Sequence, residues 1–200
     1  NSSTTSPFFW NYTGLSDGTY YWNSTIYDLA GNINSTSTQT ITLDTTIPAI
    51  AIASPTTATG NYSQSHVEMN ITFSDTNLDA ATIYLYNTSG LVQSNTSTTS
   101  PLFVNFTILP DGTYYLNSTI NDSAGNSNLT ETRTIVLDTA DPTVSLVAPA
   151  NNTLEEVSGT VDFVYNVSDV TSEIQNCSLY INQALTETGY SITKDTNQRV

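Results

Sequence analysis

Asparagine is the residue type whose spacing in this sequence most clearly allows a chemical modification. Fifteen of the 21 asparagines are followed two positions later by serine or threonine, whereas chance gives about six, because serine and threonine number 24 and 36 of the 200 residues. Asn-X-Ser/Thr is the acceptor motif of N-glycosylation, which places a bulky sugar on an exposed side-chain amide. The fifteen are Asn1, Asn11, Asn23, Asn34, Asn61, Asn70, Asn87, Asn95, Asn105, Asn117, Asn121, Asn128, Asn151, Asn166 and Asn176.

Three of these asparagines lie in segments where apolar residues recur at every second position. Asn70 alternates with such residues, as do Asn105 and Asn117. Because successive side chains of a strand point to opposite faces, all three are predicted to face solvent. We therefore expect N-glycosylation at several of the fifteen sites. The alternative is that Asn and Thr are simply the favoured surface residues of this chain.

A second possible chemistry is calcium binding, because carboxylate and amide oxygens cluster near predicted turns. Carboxylate oxygens are the ligands that Ca²⁺ prefers. The candidate ligands at predicted junctions are Asp44, Asp138 and Asp141, and those in neighbouring turns are Asp28, Asp122, Asn32 and Asn126. No EF-hand spacing occurs among them, so the alternative is that they are ordinary turn and linker residues. No other cofactor is expected.

Catalytic groups are scarce. The chain has one histidine, His66, and one cysteine, Cys177, so neither a His/Cys metal site nor a disulfide framework can be assembled from these residues. His66 is replaced by Thr160 in the third copy of the repeat described below, which favours a surface loop residue. An intramolecular Lys-Asn isopeptide bond would need an inward lysine, which the complete repeat lacks. We predict that the chain is not an enzyme.

The charge balance excludes two classes of partner. Eighteen acidic residues against three basic ones give a net charge of −15, which repels nucleic acid and anionic membrane surfaces. No apolar run is long enough for membrane insertion, and the first residues do not resemble a signal peptide. If the protein is exported, its targeting signal is expected outside these 200 residues.

The elements that position these residues belong to an internal repeat. The segment LSDGTYYWNSTIYDLAGN (15–32) recurs as LPDGTYYLNSTINDSAGN (109–126), an offset of 94 residues. From Leu15–Pro48 to Leu109–Pro142, 23 of 34 positions are identical without a gap. The same offset continues into a third copy, where Asp169 matches Asp75. The chain is therefore a tandem array.

The offset divides the chain into one complete unit and two halves. Residues 1–44 are the C-terminal half of one unit, 47–138 a complete unit, and 142–200 the N-terminal half of a third. We expect the sequence to be a window on a longer chain. The alternative is assembly by complementation, in which residues 1–44 complete the half-unit 142–200 of a neighbouring molecule.

Seven short segments of the complete unit alternate with period two, separated by Pro, Gly, Asn and Asp clusters. This pattern predicts an all-β fold, a seven-stranded Greek-key sandwich with no significant helix and a short fourth strand near Leu91. The predicted inward residues are Ile50, Ile52, Val67, Met69, Ile71, Phe73, Ile83, Leu85, Leu102, Val104, Phe106, Ile108, Tyr114, Leu116, Ser118, Ile120, Ile135 and Leu137.

The junctions are predicted to be short. About three residues are expected between the last strand of one unit and the first of the next, and Pro48 and Pro142 restrict the preceding residue to extended conformations. Such linkers favour a stiff rod that grows by about 40 Å per unit.

The stretch LPDGTYYL resembles the tyrosine corner of immunoglobulin and fibronectin type III domains. We predict that Tyr114, and Tyr20 in the preceding copy, donate their hydroxyls to backbone near Leu109 and Leu15. The DxAGN segments are predicted hairpin turns between the last two strands.

Tandem DGTYY…DxAGN…LDTxxP units resemble the immunoglobulin-like repeats of large bacterial and archaeal surface proteins, over essentially the whole chain, and the Asn/Thr-rich composition favours an archaeal source. The resemblance implies an extracellular location at the cell surface.

The resemblance also gives an interpretation of Cys177. It occupies the position of Ile83, which is predicted to face inward, with Ile120 or a close neighbour as its partner on the opposite sheet. Related repeats often carry cysteine at both places, which implies a disulfide partner beyond Val200. The alternative is a small buried thiol.

Three functions follow from these patterns. The first is the shaft of a glycosylated fibre, stalk or surface-layer protein, whose partners are other copies of itself or neighbouring repeats, together with N-linked glycans. The second is an adhesin or carbohydrate-binding module that uses outward aromatics, with Tyr84, Tyr86, Phe103 and Tyr115 as candidates. The third is a set of accessory repeats in a secreted enzyme.

Overall fold

A computed structural model describes residues 3–154, 159–190 and 192–199. All regular elements in these residues are β-strands, which confirms the predicted all-β fold. The described residues include no helix that is long and apolar enough to cross a membrane.

Four strands precede the complete unit. They are β1 (Gly18–Trp22), β2 (Thr25–Tyr27), β3 (Ile33–Ser35) and β4 (Gln39–Leu43). Strand β1 pairs with β4, and β2 pairs with β3.

The complete unit contains nine strands. They are β5 (Ala49–Ala53), β6 (Gly60–Tyr62), β7 (Val67–Ser74), β8 (Leu78–Asn87), β9 (Gly90–Ser97), β10 (Leu102–Phe106), β11 (Gly112–Asp122), β12 (Ser127–Leu129) and β13 (Arg133–Leu137).

Among the described residues, five strands follow it. They are β14 (Thr143–Ala148), β15 (Val164–Ser168), β16 (Asn176–Ile181), β17 (Ala184–Tyr190) and β18 (Asn197–Arg199). Strands β14, β15 and β18 form one small sheet, and β16 pairs with β17.

The nine strands of the complete unit form two sheets that face each other. One has the order β10-β7-β5 and the other the order β6-β13-β11-β8-β9, with β12 added beside β11. The chain crosses between the sheets after β5, β6, β7, β9 and β10, which fits the Greek-key connectivity of a sandwich. The predicted fold class is confirmed.

Alternating side chains fill the space between the two sheets. In β7, Val67, Met69 and Ile71 are fully buried, while the residues between them are half-buried or exposed. Strand β11 shows the same alternation over Tyr114, Leu116, Ser118 and Ile120. Each fully buried aliphatic side chain stabilises the fold by about 1.5–3 kcal/mol, so the core of this unit is its main source of stability.

The strand prediction missed part of the unit. Strands β6 and β12 have only three residues each, too few for an alternating pattern to appear. The predicted short strand near Leu91 is wrong in length, because β9 has eight residues. Its sequence GLVQSNTS is mostly polar, and its residues are exposed except for Ser97. Such an edge strand leaves no apolar alternation in the sequence.

The prediction that Ile108 faces the core is also wrong. Strand β10 ends at Phe106, and Ile108 then adopts a positive φ of 59° with its side chain 90% exposed. The next residue, Leu109, is buried instead, and its amide donates to the Ser65 carbonyl at 2.9 Å. The reversal at Ile108 shifts the alternation by one residue.

The two flanking segments bury little of their apolar surface. Trp22 is 60% exposed, although its counterpart Leu116 in the complete unit is fully buried. In the third unit, Tyr165, Val167 and Ile192 form a small cluster with Ile174 and Cys177, but Leu146 is 84% exposed.

The junctions are longer than predicted. Five residues, 44–48, separate β4 from β5, and five residues, 138–142, separate β13 from β14. The difference arises because β4 and β13 end at Leu43 and Leu137, and the next strands begin only after Pro48 and Pro142, so each whole Asp-to-Pro stretch lies outside the strands. Pro48 is fully buried at the first junction.

Candidate functional site

Three carboxylates meet at the junction between the first half-unit and the complete unit. Asp44 follows β4, Asp75 follows β7, and Asp122 ends β11, and one oxygen of each lies within 4.8 Å of the others. A cleft of about 270 Å³ opens beside Asp44 and Asp75, and Asp17 also lines it. The cluster is therefore formed by two consecutive units.

Two asparagine side chains hold this cluster together. Asn77 Nδ2 donates to Asp44 Oδ2 at 2.6 Å, and Asn126 Nδ2 donates to Asp122 Oδ2 at 2.7 Å and to the Asp44 carbonyl at 3.0 Å. The backbone N–H of Asn77 donates to Asp75 Oδ1 at 2.7 Å. These N–H groups offset part of the repulsion between the carboxylates, because hydrogen bonds to charged acceptors are strong.

Asp122 is held in its ionised form. Its side chain is only 4% exposed, and burial opposes the charge, but hydrogen bonds from the Asn126 side chain and backbone and from the Ala124 backbone hold the pKa of Asp122 below its ordinary value. The turn 122–126 places all three donors, because its backbone folds back on the carboxylate.

The structure places the predicted calcium ligands at different sites. Asp44 and Asp122 come together, and Asp75, which was not predicted, joins them. Asp28 lies in the equivalent turn of the first half-unit, where Asn32 holds its side chain. Asp138 and Asp141 line a different cleft of about 520 Å³ at the second junction.

The chemistry of the cluster suits a hard cation, since carboxylate and amide oxygens are its available ligands. Asp44, Asp75 and Asp122 are the described residues that could hold one. The recurrence of Asp75 as Asp169 in the third copy is the sequence signal that could have identified the third member.

The tyrosine corners lie where the sequence places them. Tyr114 donates its hydroxyl to the Pro110 carbonyl at 2.8 Å, and Tyr20 donates to the Ser16 carbonyl at 2.8 Å. Each acceptor is the residue after the predicted leucine. Burial, and then the nearby charge of Asp111, raise the pKa of Tyr114.

A carboxylate fastens each junction to the unit before it. Asp17 accepts hydrogen bonds from the Thr45 amide at 3.0 Å and from the Thr46 hydroxyl at 2.8 Å. These bonds, with the Thr45 backbone bond the largest cause, lower the pKa of Asp17. At the second junction Asp111 accepts from the Thr139 amide at 3.0 Å. The linkers are thus tied down by side chains.

The sequon asparagines differ in exposure. Asn1 lies outside the described residues. The exposed ones are Asn11, Asn23, Asn34, Asn61, Asn95, Asn105, Asn121, Asn151 and Asn176, and the half-buried ones are Asn70, Asn87, Asn117, Asn128 and Asn166. None of these fourteen described side chains is fully buried. Exposure of the acceptor is the first requirement for modification.

Two of the half-buried asparagines are engaged by backbone. Asn70 is on the outer face of its sheet, but its Nδ2 donates to the Ser54 carbonyl at 2.8 Å, and its Oδ1 is buried without a hydrogen-bond partner among the described residues. Asn128 Nδ2 donates to the Pro48 carbonyl at 3.0 Å, across the first junction. These amide nitrogens are less available to a glycosylating enzyme than that of Asn105, whose Nδ2 donates a long, exposed hydrogen bond of 3.4 Å to Glu68 Oε1.

Three of the outward aromatics form a small patch on the six-stranded sheet. The rings of Tyr84 and Tyr86 stack with centroids 5.8 Å apart, and Tyr115 is the cross-strand neighbour of Tyr86. All three are half-buried. Phe103 lies on the opposite sheet and is 48% exposed, so the four candidates do not make one surface.

The prediction that Ile83, the counterpart of Cys177, and Ile120 lie on opposite sheets is wrong. Ile83 lies on β8 beside β11, so Ile83 and Ile120 belong to the same sheet, and Ile83 pairs with Ser118. Cys177 itself is half-buried in β16 and packs against the small cluster of the third unit. Burial, and then the electrostatic effect of the neighbouring Cys177 side chain, raise the pKa of Tyr165.

His66 lies half-buried in the loop before β7, and its carbonyl accepts a hydrogen bond from Gln64 Nε2 at 2.9 Å.

Comparison with known protein families identifies the repeats. The model of the bacterial Ig-like domain (group 3) matches residues 5–96 and again residues 101–189. A second bacterial Ig-like domain model matches residues 54–139. A comparison with curated proteins finds no similar sequence.

Two solved structures are similar to the chain. The fibronectin(III)-like modules of CbhA from Clostridium thermocellum are 18% identical, with a TM-score of 0.36 over 76% of this chain and 79% of that one. An engineered protein is 15% identical, with a TM-score of 0.35 over 45% of this chain and 20% of that one. The chain thus spans a fifth of the length of the engineered protein.

Proposed function

This chain belongs to the bacterial Ig-like domain family, and we propose that it is a non-catalytic structural repeat region, the shaft of a glycosylated extracellular fibre, stalk or surface-layer protein. Its units are proposed to span 1–44, 47–138 and 142–200, because one core and two sheets account for the strands between Ala49 and Leu137. An archaeal source remains part of this proposal.

The observation that carries the proposal is the recurrence of side-chain hydrogen bonds at the repeat offset. Asn23 donates to the Thr38 hydroxyl at 3.2 Å, as Asn117 does to Thr132 at 3.1 Å. The bonds of the tyrosine corners, the Asp-Asn turns and the Asp-Thr junction clamps recur in the same way. The first half-unit and the complete unit are thus built by the same contacts, as a repeating shaft requires.

Contacts across the first junction support stiffness. Asn77 and Asn126 of the complete unit bind Asp44, and Asn128 binds the Pro48 carbonyl, while Asp17 of the preceding half-unit fixes Thr45 from the other side. A linker bonded to both of its neighbours has few conformations left to it. Consecutive units are therefore expected to keep a fixed relative orientation.

Electron microscopy of the native protein tests the proposal. Uniform, unbranched rods or filaments are expected, because stiff junctions prevent the units from folding back on one another. Compact monodisperse particles would contradict it.

Half-unit complementation is the proposed route of head-to-tail assembly. Trp22 and Ile26 are 60% and 68% exposed, whereas their counterparts Leu116 and Ile120 fill the core of the complete unit. In the third unit, Val144 and Leu146 are 64% and 84% exposed at positions that match Ile50 and Ile52. The two half-units thus present the two halves of one sandwich core, which favours their association in neighbouring molecules or, in a longer chain, with further copies.

Carbohydrate binding is a second candidate function, favoured by the stacked pair Tyr84 and Tyr86 with Tyr115 beside it. Flat, half-exposed rings offer a surface on which a sugar can stack. Binding to a glycan array that is lost in Tyr86→Ala and kept in Leu129→Ala, an exposed residue on β12, would support it. Absent binding, or binding that survives Tyr86→Ala, would remove it.

A further inference from the structure

One long stretch of the complete unit has no charged side chain. Between Asp79 and Asp111 the sequence contains no Asp, Glu, Lys, Arg or His. In the structure these residues form almost all of β8 and the whole of β9 and β10. The stretch therefore covers one entire lateral side of the sandwich, in a chain whose net charge is −15.

That lateral side consists of two free sheet edges. In the described residues β9 pairs only with β8, and β10 pairs only with β7, so the outer backbone groups of both strands have no sheet partner. The two edges are neighbours, one from each sheet. A row of unpaired N–H and C=O groups is a template for pairing with another strand.

The usual protections of a sheet edge are missing here. Proteins blunt such edges with charged residues, especially lysine, or with proline inside the strand. Strands β9 and β10 contain neither. Leu91 and Phe103 are 55% and 48% exposed on these same strands, which adds apolar surface to the edge.

Each of the two edge strands carries an exposed sequon asparagine. Asn95 lies in the middle of β9, and Asn105 lies near the end of β10. On the opposite lateral side, β6 carries the exposed sequon Asn61. By contrast, the amide of Asn70 on the central strand β7 is engaged by the Ser54 carbonyl. Exposed acceptors thus lie where protection is absent.

We propose that the β9/β10 side is a docking edge for the same side of a second copy of this chain, and that N-linked sugars on Asn95 and Asn105 keep it closed. The occupant is a second copy because the uncharged side is where two molecules with so negative a charge can meet with the least repulsion. The proposal rests on the proposed N-glycosylation, and it assigns to the sugars the control of lateral association between shafts.

The first arm of the test removes the sugars at the edge. The full chain is produced in a host that N-glycosylates, as Asn95→Gln/Asn105→Gln and as the control Asn87→Gln/Asn121→Gln, whose sites lie at the ends of β8 and β11. Sedimentation velocity is expected to show concentration-dependent association of the edge variant, and no gain in association for the control. Equal behaviour of the two variants, or native material without sugar on Asn95 and Asn105, overturns the proposal.

The second arm separates this edge from the open half-units. In unglycosylated full chain, Ser94→Lys adds a charge to β9, whereas Thr72→Lys adds the same charge to the exposed face of the central strand β7. We expect Ser94→Lys to abolish the edge-dependent association and Thr72→Lys to leave it unchanged. If both variants associate like the parent, the edge is not the docking surface, whereas rods seen by microscopy would still stand.

Discussion

Ile108 shows what a single residue contributes, because the repeat offers a glycine at the same place. Ile108 has a φ of 59°, and its counterpart Gly14 has a φ of 71°. A β-branched residue in the left-handed region is strained, whereas glycine adopts it readily. Since the Ile108 side chain is 90% exposed, little burial offsets the strain.

We therefore predict that Ile108→Gly raises the free energy of unfolding by about 1 kcal/mol. The matched control is Thr107→Gly, at the exposed neighbouring position without a positive φ, which should lower stability slightly because glycine increases the entropy of the unfolded chain. Urea unfolding measures both. An Ile108→Gly variant less stable than the parent would show that the loop is not strained.

The hydrogen bonds of the sequon asparagines predict which sites carry sugar. Asn95, Asn105 and Asn121 are expected to be modified, because their side chains are exposed. Asn70 and Asn128 are expected to stay free, because backbone carbonyls hold their amide nitrogens. Peptide mass spectrometry after enzymatic deglycosylation reads each site. Occupancy of Asn70 equal to that of Asn105 would contradict the prediction.

Asp122 predicts how stability depends on pH. Its pKa in the folded protein is lowered from the ordinary value of 3.8, so the stabilisation is fully present above about pH 4 and is lost as the pH falls through the lower, folded value. Asp122→Asn should therefore be less stable than the parent at pH 7, and the difference should shrink below pH 4. Thermal unfolding across this range measures it.

The exposed Asp79 on β8 provides the control for this experiment. Asp79→Asn removes a carboxylate outside the cluster, so it separates the loss of one negative charge from the loss of the hydrogen bonds to Asp122. A gap between Asp122→Asn and the parent that widens on acidification would contradict the assigned charge state.

Among the elements, strands that alternate between a buried and a solvated face could be predicted from sequence, and strands that are very short or mostly exposed could not. Strands β7, β10 and β11 were found because their buried positions are consistently apolar. Strand β9 gave no such signal because almost all of it is exposed. A strand that buries neither face has no alternating apolar pattern, so the sequence shows only the turns that flank it.

The candidate site was predictable in part for a similar reason. Asp44 and Asp122 stand out because they border a junction and a turn, whereas Asp75 joins them only through the way β7 ends beside the junction. The error over Cys177 arose from assigning Ile83 and Ile120 to opposite sheets, when β8 and β11 are neighbours in one. The alternation of apolar and polar residues predicts whether a side chain faces the core, but not which of the two sheets carries it.

Truncation of a side chain should change stability differently at matching positions of the complete unit and of the first half-unit. Leu116→Ala removes a fully buried side chain of β11 and should lower the free energy of unfolding by about 2–5 kcal/mol. Trp22→Ala, at the same repeat position in β1, removes a side chain that is 60% exposed and should have little effect on that unfolding.

If half-units complete one another between molecules, Trp22→Ala should also weaken self-association, because Trp22 would then enter a core. Analytical ultracentrifugation measures this at matched concentrations. Association unaffected by Trp22→Ala would remove complementation through this face and leave the sandwich itself unaffected.

At the scale of the whole molecule, the proposed shaft depends on junctions that add units in a line. The longest strand, β11, has 11 residues, which at about 3.3 Å per residue gives a unit close to 40 Å long with its loops. Asp17, Asn77, Asn126 and Asn128 fasten the first junction from both sides. The composition supports the same picture, since a surface rich in hydroxyl groups, in a chain with 18 acidic and three basic residues, suits a solvated shaft.

Small-angle X-ray scattering of the chain, and of versions lengthened by one and two further copies of residues 45–138, tests this claim most directly. If the shaft is stiff, its maximum dimension is expected to grow by a constant increment of about 40 Å per added copy. An increment that diminishes with each copy, as in a chain that folds back into a compact particle, would contradict it.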